Sequence, residues 1–308
     1  MIGVLTGFAI IGVVILVGYV VQRIHVLPAD AAVALNRFVY FIASPALLFT
    51  VLARADLSVI FSSFLVVTIV SVVITAGVFL ALSRLFFRRS AALTALGTAS
   101  ASYVNANNIG LPVAVYVLGS AQFVAPVLMF QLIIMAPILL TVLDVSTREK
   151  VSIGTIVSQP FRNPIILASL AGLVVALLGI HIPDQVLAPF VLIGGAAVPT
   201  VLITFGMSLA GRRLFPAGAD RREIIVAVAM KSVLMPVVAY LFGSLVFHLD
   251  SMHLFAVVVL AALPTAQNIF NYAFRFNTGI DVARDVVLLT TIAALPVLLV
   301  ISALLAPA

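Results

Sequence analysis

Residues 103–112 read YVNANNIGLP: three asparagines, a glycine and a proline inside one of the most apolar stretches of the chain. Much later, residues 260–274 read LAALPTAQNIFNYAF, where the same residue types interrupt a second apolar stretch. Asparagine is a poor helix former and proline removes a backbone donor, so each stretch predicts a helix that breaks and starts again. What two such breaks mean depends on the solvent around them.

Composition identifies that solvent. Of 308 residues, 64% are hydrophobic and 8% charged, with a mean hydropathy of +1.33. A water-soluble domain carries about a quarter charged residues, and no aqueous core could hide this apolar excess. The chain reads as an integral membrane protein. It has no cysteine, which removes disulfides and thiol catalysis together. It contains no phosphate-cradling glycine loop, metal-spaced His/Glu cluster or hydrolase elbow, so neither an enzyme nor a cofactor or metal site is expected. The net charge of +6 is spread between apolar segments. It reads as membrane topology, not as a nucleic-acid surface.

A bilayer-crossing helix needs roughly 20 apolar residues. Runs of that kind predict ten spans, near 2–22, 32–53, 58–86, 91–118, 121–144, 164–180, 185–211, 223–247, 253–276 and 280–306. The first lacks a basic leader and a small-residue cleavage site, so it reads as a span and not a signal peptide. Alternate loops, starting after the first span, carry fourteen of the sixteen basic residues. They are Arg23 and Arg37; Arg84, Arg88 and Arg89; Arg148, Lys150 and Arg162; Arg212, Arg213, Arg221 and Arg222; Arg275 and Arg284. Basic loops face the cytoplasm. The expected setting is the inner (plasma) membrane, with both termini extracytoplasmic.

Ten spans divide into two fives, 1–147 and 164–308, joined by a short cytoplasmic linker at 148–163. ASPALLFT at 43–50 and AVPTVLIT at 197–204 set Pro45 on Pro199, and the fourth and ninth spans carry the two breaks. An odd number of spans per repeat inserts the second copy upside down. The expected fold is all-α and polytopic, a 5+5 inverted repeat with broken crossover helices 4 and 9, which is a plan used by secondary transporters.

Each break has a chemical consequence. Gly110 and Pro112 open the backbone of the first, and Asn107 or Asn108 can cap the half-helix that follows. In the second, Pro264 ends one helix and Thr265 is placed to cap the next, with Gln267, Asn268 and Asn271 forming a polar strip. A helix N-terminus at membrane depth carries partial positive charge, and an anion is its natural occupant. Lys231, in AVAMKSVLMPVV, stands roughly 12 Å along its span from Glu223. It either snorkels to the interface or brings one full positive charge to the cavity. No carboxylate or histidine lies firmly within a span, so a proton relay has no evident carrier.

With ASYVNANNIGLPVAVYVLG at 101–119 and LPTAQNIFNYAF at 263–274, essentially the whole chain resembles the auxin efflux carrier family. That family includes plant PIN-formed proteins and bacterial carriers assigned to malonate or similar carboxylates, and it shares its architecture with bile acid:sodium symporter-like proteins. The resemblance implies a scaffold of spans 1, 2, 6 and 7 that forms a homodimer. It implies a mobile transport domain of spans 3–5 and 8–10, moving like an elevator. An organic anion would bind at Asn105, Asn108 and Pro112 on one side and Pro264, Gln267 and Asn268 on the other. Plant members carry a long loop between the halves; here it is short, which sets phosphoregulation and auxin itself apart from this chain. The leading expectation is a secondary carrier of a small organic anion, a carboxylate above all. The alternatives are an anion-selective channel and a sodium-coupled organic-anion symporter.

Overall fold

The computed structural model describes residues 2–28, 30–54, 63–147, 163–210 and 221–307. The linker up to Arg162 lies outside them, as do Arg148, Lys150, Arg212 and Arg213 of the basic loops. Among the described residues every regular element is helical, and one isolated β-bridge joins Val104 to Thr265. In chain order the helices are α1 (Ile2–Arg23), α2 (Ala31–Ala53), α3 (Ser63–Phe87), α4 (Ala91–Ser102), α5 (Leu111–Tyr116), α6 (Ala121–Ser146) and α7 (Pro164–Leu177). They continue as α8 (Asp184–Gly195), α9 (Ala197–Leu209), α10 (Arg221–Val246), α11 (Ser251–Ala261), α12 (Gln267–Arg275) and α13 (Ile280–Leu305).

Among the described residues six runs are long and apolar enough to cross a bilayer: α2, α3, α6, Asp184–Met207, α10 and α13. Ala9–Arg23, α7 and α11 are shorter apolar helices. The fourth and ninth expected spans are interrupted at 103–105 and 262–266, which splits them into α4/α5 and α11/α12.

Proline explains much of the irregularity. Four π-helical turns, Val39–Ala43, Ala106–Gly110, Gln131–Met135 and Met230–Leu234, each end two residues before a proline: Pro45, Pro112, Pro137 and Pro236. Proline has no N–H and its ring crowds the carbonyl one turn back. A widened turn re-routes the freed carbonyls without breaking the helix, which matters where no water can satisfy them.

The two halves also punctuate alike. Left-handed residues follow α1 and α7 (His25, Gly179), α3 and α10 (Arg88, His248), and precede α6 and α13 (Gly119; Asn277 and Gly279). Side chains then cap the helices that enter the breaks. Ser90 accepts from Leu93 N–H before α4, and Asp250 accepts from Met252 and His253 N–H before α11.

Glycine sets the closest helix crossings. A Cβ on Gly18 of α1 would lie 2.1 Å from Ile203 O of α9, and one on Gly206 of α9 would lie 2.0 Å from Ile15 O of α1. Gly172 of α7 meets Phe49 O of α2 at 2.7 Å in the same sense. The pairs α1–α9 and α7–α2 therefore pack backbone to backbone, the use membrane helices make of small residues. The largest apolar core surrounds the two breaks, with Val104, Leu111, Val113, Phe255, Leu260 and Leu263 all buried.

Candidate functional site

The two breaks lie against each other. Asn105 N–H donates to Pro264 O at 2.7 Å, and Ala266 N–H donates to Tyr103 O at 3.0 Å, in an antiparallel two-strand crossing. Bonded backbone is how non-helical segments survive inside a membrane protein. Side chains complete the crossing. Thr265 Oγ1 donates to Ser100 O at 2.6 Å, Thr265 N–H donates to Thr290 Oγ1 at 3.1 Å, and Gln131 Nε2 donates to Val104 O at 3.1 Å.

Several residues have different local roles from those expected. The helix after the first break starts at Ala106, and its cap is Asn105, whose Oδ1 accepts from Asn108 N–H at 3.2 Å; neither Asn107 nor Asn108 caps it. Asn105 O also takes N–H bonds from both Ile109 and Gly110, the doubled acceptance of a π turn. Gly110 is helical, at φ −62 and ψ −43, and not a backbone opening. Its lack of a side chain serves packing, because a Cβ there would lie 2.8 Å from Leu263 Cδ1. Pro112 is buried downstream of the break, within α5. Thr265 does not cap α12; that position belongs to Ala266, which offers no side-chain bond.

Lys231 does not snorkel. It is fully buried, and its Nζ donates to Ala261 O at 2.6 Å with Met235 Sδ at 3.4 Å. Ala261 is the last residue of α11, so the Lys231 amine bonds the carbonyl end of that helix. The C-terminal carbonyls at the crossing are thus bonded from two sides, at Ala261 by Lys231 and at Ser100 by Thr265. The first N–H groups of α12 have no side-chain cap.

Two buried donors remain open there. Asn105 Nδ2 and Tyr103 Oη have no hydrogen-bond partner among the described residues, though the two residues are 3% and 2% exposed. Asn107 donates through Nδ2 to Asn108 Oδ1 at 3.0 Å while its own Oδ1 is unpartnered. Buried groups are ordinarily paired, and each orphan costs about 1–3 kcal/mol. Gln267 is half-buried, whereas Asn268 and Asn271 are exposed, so the expected polar strip runs outward from the crossing and not across it. Tyr103 and Gln131 were not among the expected residues. Tyr103 could have been found by its place beside the break, and Gln131 as a lone amide in QLIIMAPILL.

Paired discontinuous helices with open donors at membrane depth define a class, the membrane transporters. A family model described as "Membrane transport protein" matches residues 4–302. The chain belongs to this family, the auxin efflux carrier family of membrane transporters. It is 28% identical over 286 residues to a protein of Rhizobium meliloti (strain 1021) named "Putative malonate transporter", covering 90% of this chain and 88% of that one. It is 29% identical over 276 residues, 86% of each chain, to the "Uncharacterized transporter YfdV" of Escherichia coli (strain K12). An "Uncharacterized transporter" of Methanothermobacter thermautotrophicus is 28% identical over 294 residues, 92% of each chain.

Proposed function

We propose that the chain is a secondary carrier that moves a small carboxylate through the crossed breaks by alternating access. The observation that carries this reading is the pair of buried donors without a partner among the described residues, Asn105 Nδ2 and Tyr103 Oη, on residues whose backbone is bonded to Pro264 and Ala266 just ahead of the uncapped α12. A carboxylate accepts several hydrogen bonds at once and favours a helix N-terminus. Lys231 supports the crossing by holding the end of α11 through Ala261 O. The name of the Rhizobium relative points toward a dicarboxylate such as malonate.

The recurrence of left-handed residues, π turns and breaks in both halves supports ten spans arranged as a 5+5 inverted repeat. The close pairs α1–α9 and α2–α7 support a scaffold apart from α3–α6 and α10–α13, which would move as an elevator. The scaffold presents an apolar outer face on α8, where Val186, Val191 and Leu192 are 56%, 52% and 80% exposed. Homodimerisation through that face would make a Leu192→Cys variant form a disulfide-linked dimer on mild oxidation; a purely monomeric product would remove this assembly.

The deciding experiment is uptake into proteoliposomes of labelled malonate, monocarboxylates and aromatic acids, with and without proton and sodium gradients. Saturable flux with counter-transport of a carboxylate is expected. Fast, unsaturated conductance would make the protein a channel instead.

A further inference from the structure

Beyond the crossing, the structure has an apolar groove of about 400 Å³ that no substrate role accounts for. Its walls come from both sides of the helix arrangement. Ile11, Ile15 and Tyr19 of α1 and Phe205 of α9 form one side; Ile109 of the π turn after the first break and Leu295 of α13 form the other. Apart from Tyr19 and Thr291 its lining is apolar, so water gains little there. Within a bilayer the abundant apolar occupant is an acyl chain.

Charge selects the headgroup. Ile11, Ile15 and Tyr19 are four apart, and the same stripe continues at Arg23, the exposed last residue of α1. Arg23 stands about 6 Å beyond Tyr19 along the axis, on the side where the basic loops gather. Aromatic and cationic residues stacked in this order match the interface of a leaflet. We infer that the groove holds one acyl chain of an anionic phospholipid from the leaflet facing the basic loops, with its phosphate at Arg23. The occupant would touch Ile109, directly behind the turn that carries Asn105 and Asn108, and would lie in the seam between the two helix sets.

The test uses the full chain in neutral detergent, supplied with phosphatidylglycerol or phosphatidylcholine and read by native mass spectrometry and Tm. Phosphatidylglycerol is expected to be retained in preference and to raise Tm. Arg23→Gln should weaken its retention about fivefold, the equivalent of about 1 kcal/mol per surface cation, and leave phosphatidylcholine unchanged. A Cβ on Gly12 meets nothing within 4 Å, so Gly12→Phe should fill the groove and abolish retention of both lipids. Leu295→Trp does the same from the opposite wall, which covers the case in which Gly12→Phe fails to fold. Equal retention of both headgroups by the unaltered protein, unchanged phosphatidylglycerol binding in the variants, or a dimer that buries the groove without lipid would each overturn the inference.

Discussion

Tyr103 and Lys231 are both buried polar residues at the crossing, yet they are buried in opposite energetic situations. Lys231 is satisfied: its Nζ holds Ala261 O at 2.6 Å, and removing it orphans a carbonyl at a helix end. Tyr103 Oη has no hydrogen-bond partner among the described residues, so removing it relieves a cost. Lys231→Met should therefore lower Tm, by the equivalent of about 1–3 kcal/mol, together with transport. Tyr103→Phe should leave Tm unchanged or raised while weakening carboxylate binding about tenfold, the worth of a hydrogen bond to a charged acceptor. Thermal unfolding and substrate titration on the same two preparations separate the cases. A Tyr103→Phe protein that binds as tightly as its parent would take the phenol out of the site. Neither situation was legible in the sequence. The partner of Lys231 is a backbone carbonyl thirty residues away, which leaves no mark on residue identity. Asn105 outcompeted Asn107 and Asn108 as the cap because the backbone leaves the break earlier than Pro112 alone implied.

At the level of elements, proline and glycine carried unequal amounts of readable information. Prolines act on their own helix, so the interruptions around Pro112 and Pro264 could be read locally, and the same logic extends to the π turns before Pro45, Pro137 and Pro236. Glycines act on a neighbour chosen by the fold. Gly110 was read as a backbone opening, but it is a helical residue shaped to Leu263, far away in sequence. Gly18 and Gly206 gave no local sign at all, although they set the α1–α9 crossing. Gly77 of α3 supplies the control, since a Cβ there meets nothing within 4 Å. Gly206→Ala should destabilise by about 1–3 kcal/mol through overpacking against Ile15 O. Gly77→Ala should be neutral or stabilise by about 0.5–1 kcal/mol, as in any helix interior. Denaturation midpoints of the two variants check the contrast, and similar shifts in both would mean that the close crossing is not rigid.

For the whole molecule, the strongest feature in the sequence was the alternation of basic and non-basic loops, because charge asymmetry accumulates over the chain and needs no knowledge of packing. It gives an orientation that helix geometry alone cannot supply. On the ten-span plan proposed above, the even number of crossings would return the chain to its starting side, and the basic loops would assign the compartment of both ends to the exterior. The absence of cysteine makes this directly measurable, because a single introduced thiol is the only one present. Asp30, exposed between α1 and α2, lies in the first basic loop, and Ala306 follows α13. In intact cells a membrane-impermeant maleimide should label Ala306→Cys fully and Asp30→Cys only after permeabilisation. The reverse pattern would invert the molecule. Labelling of both sites before permeabilisation would mean an even number of crossings between them, and the two five-span halves would then have to be abandoned.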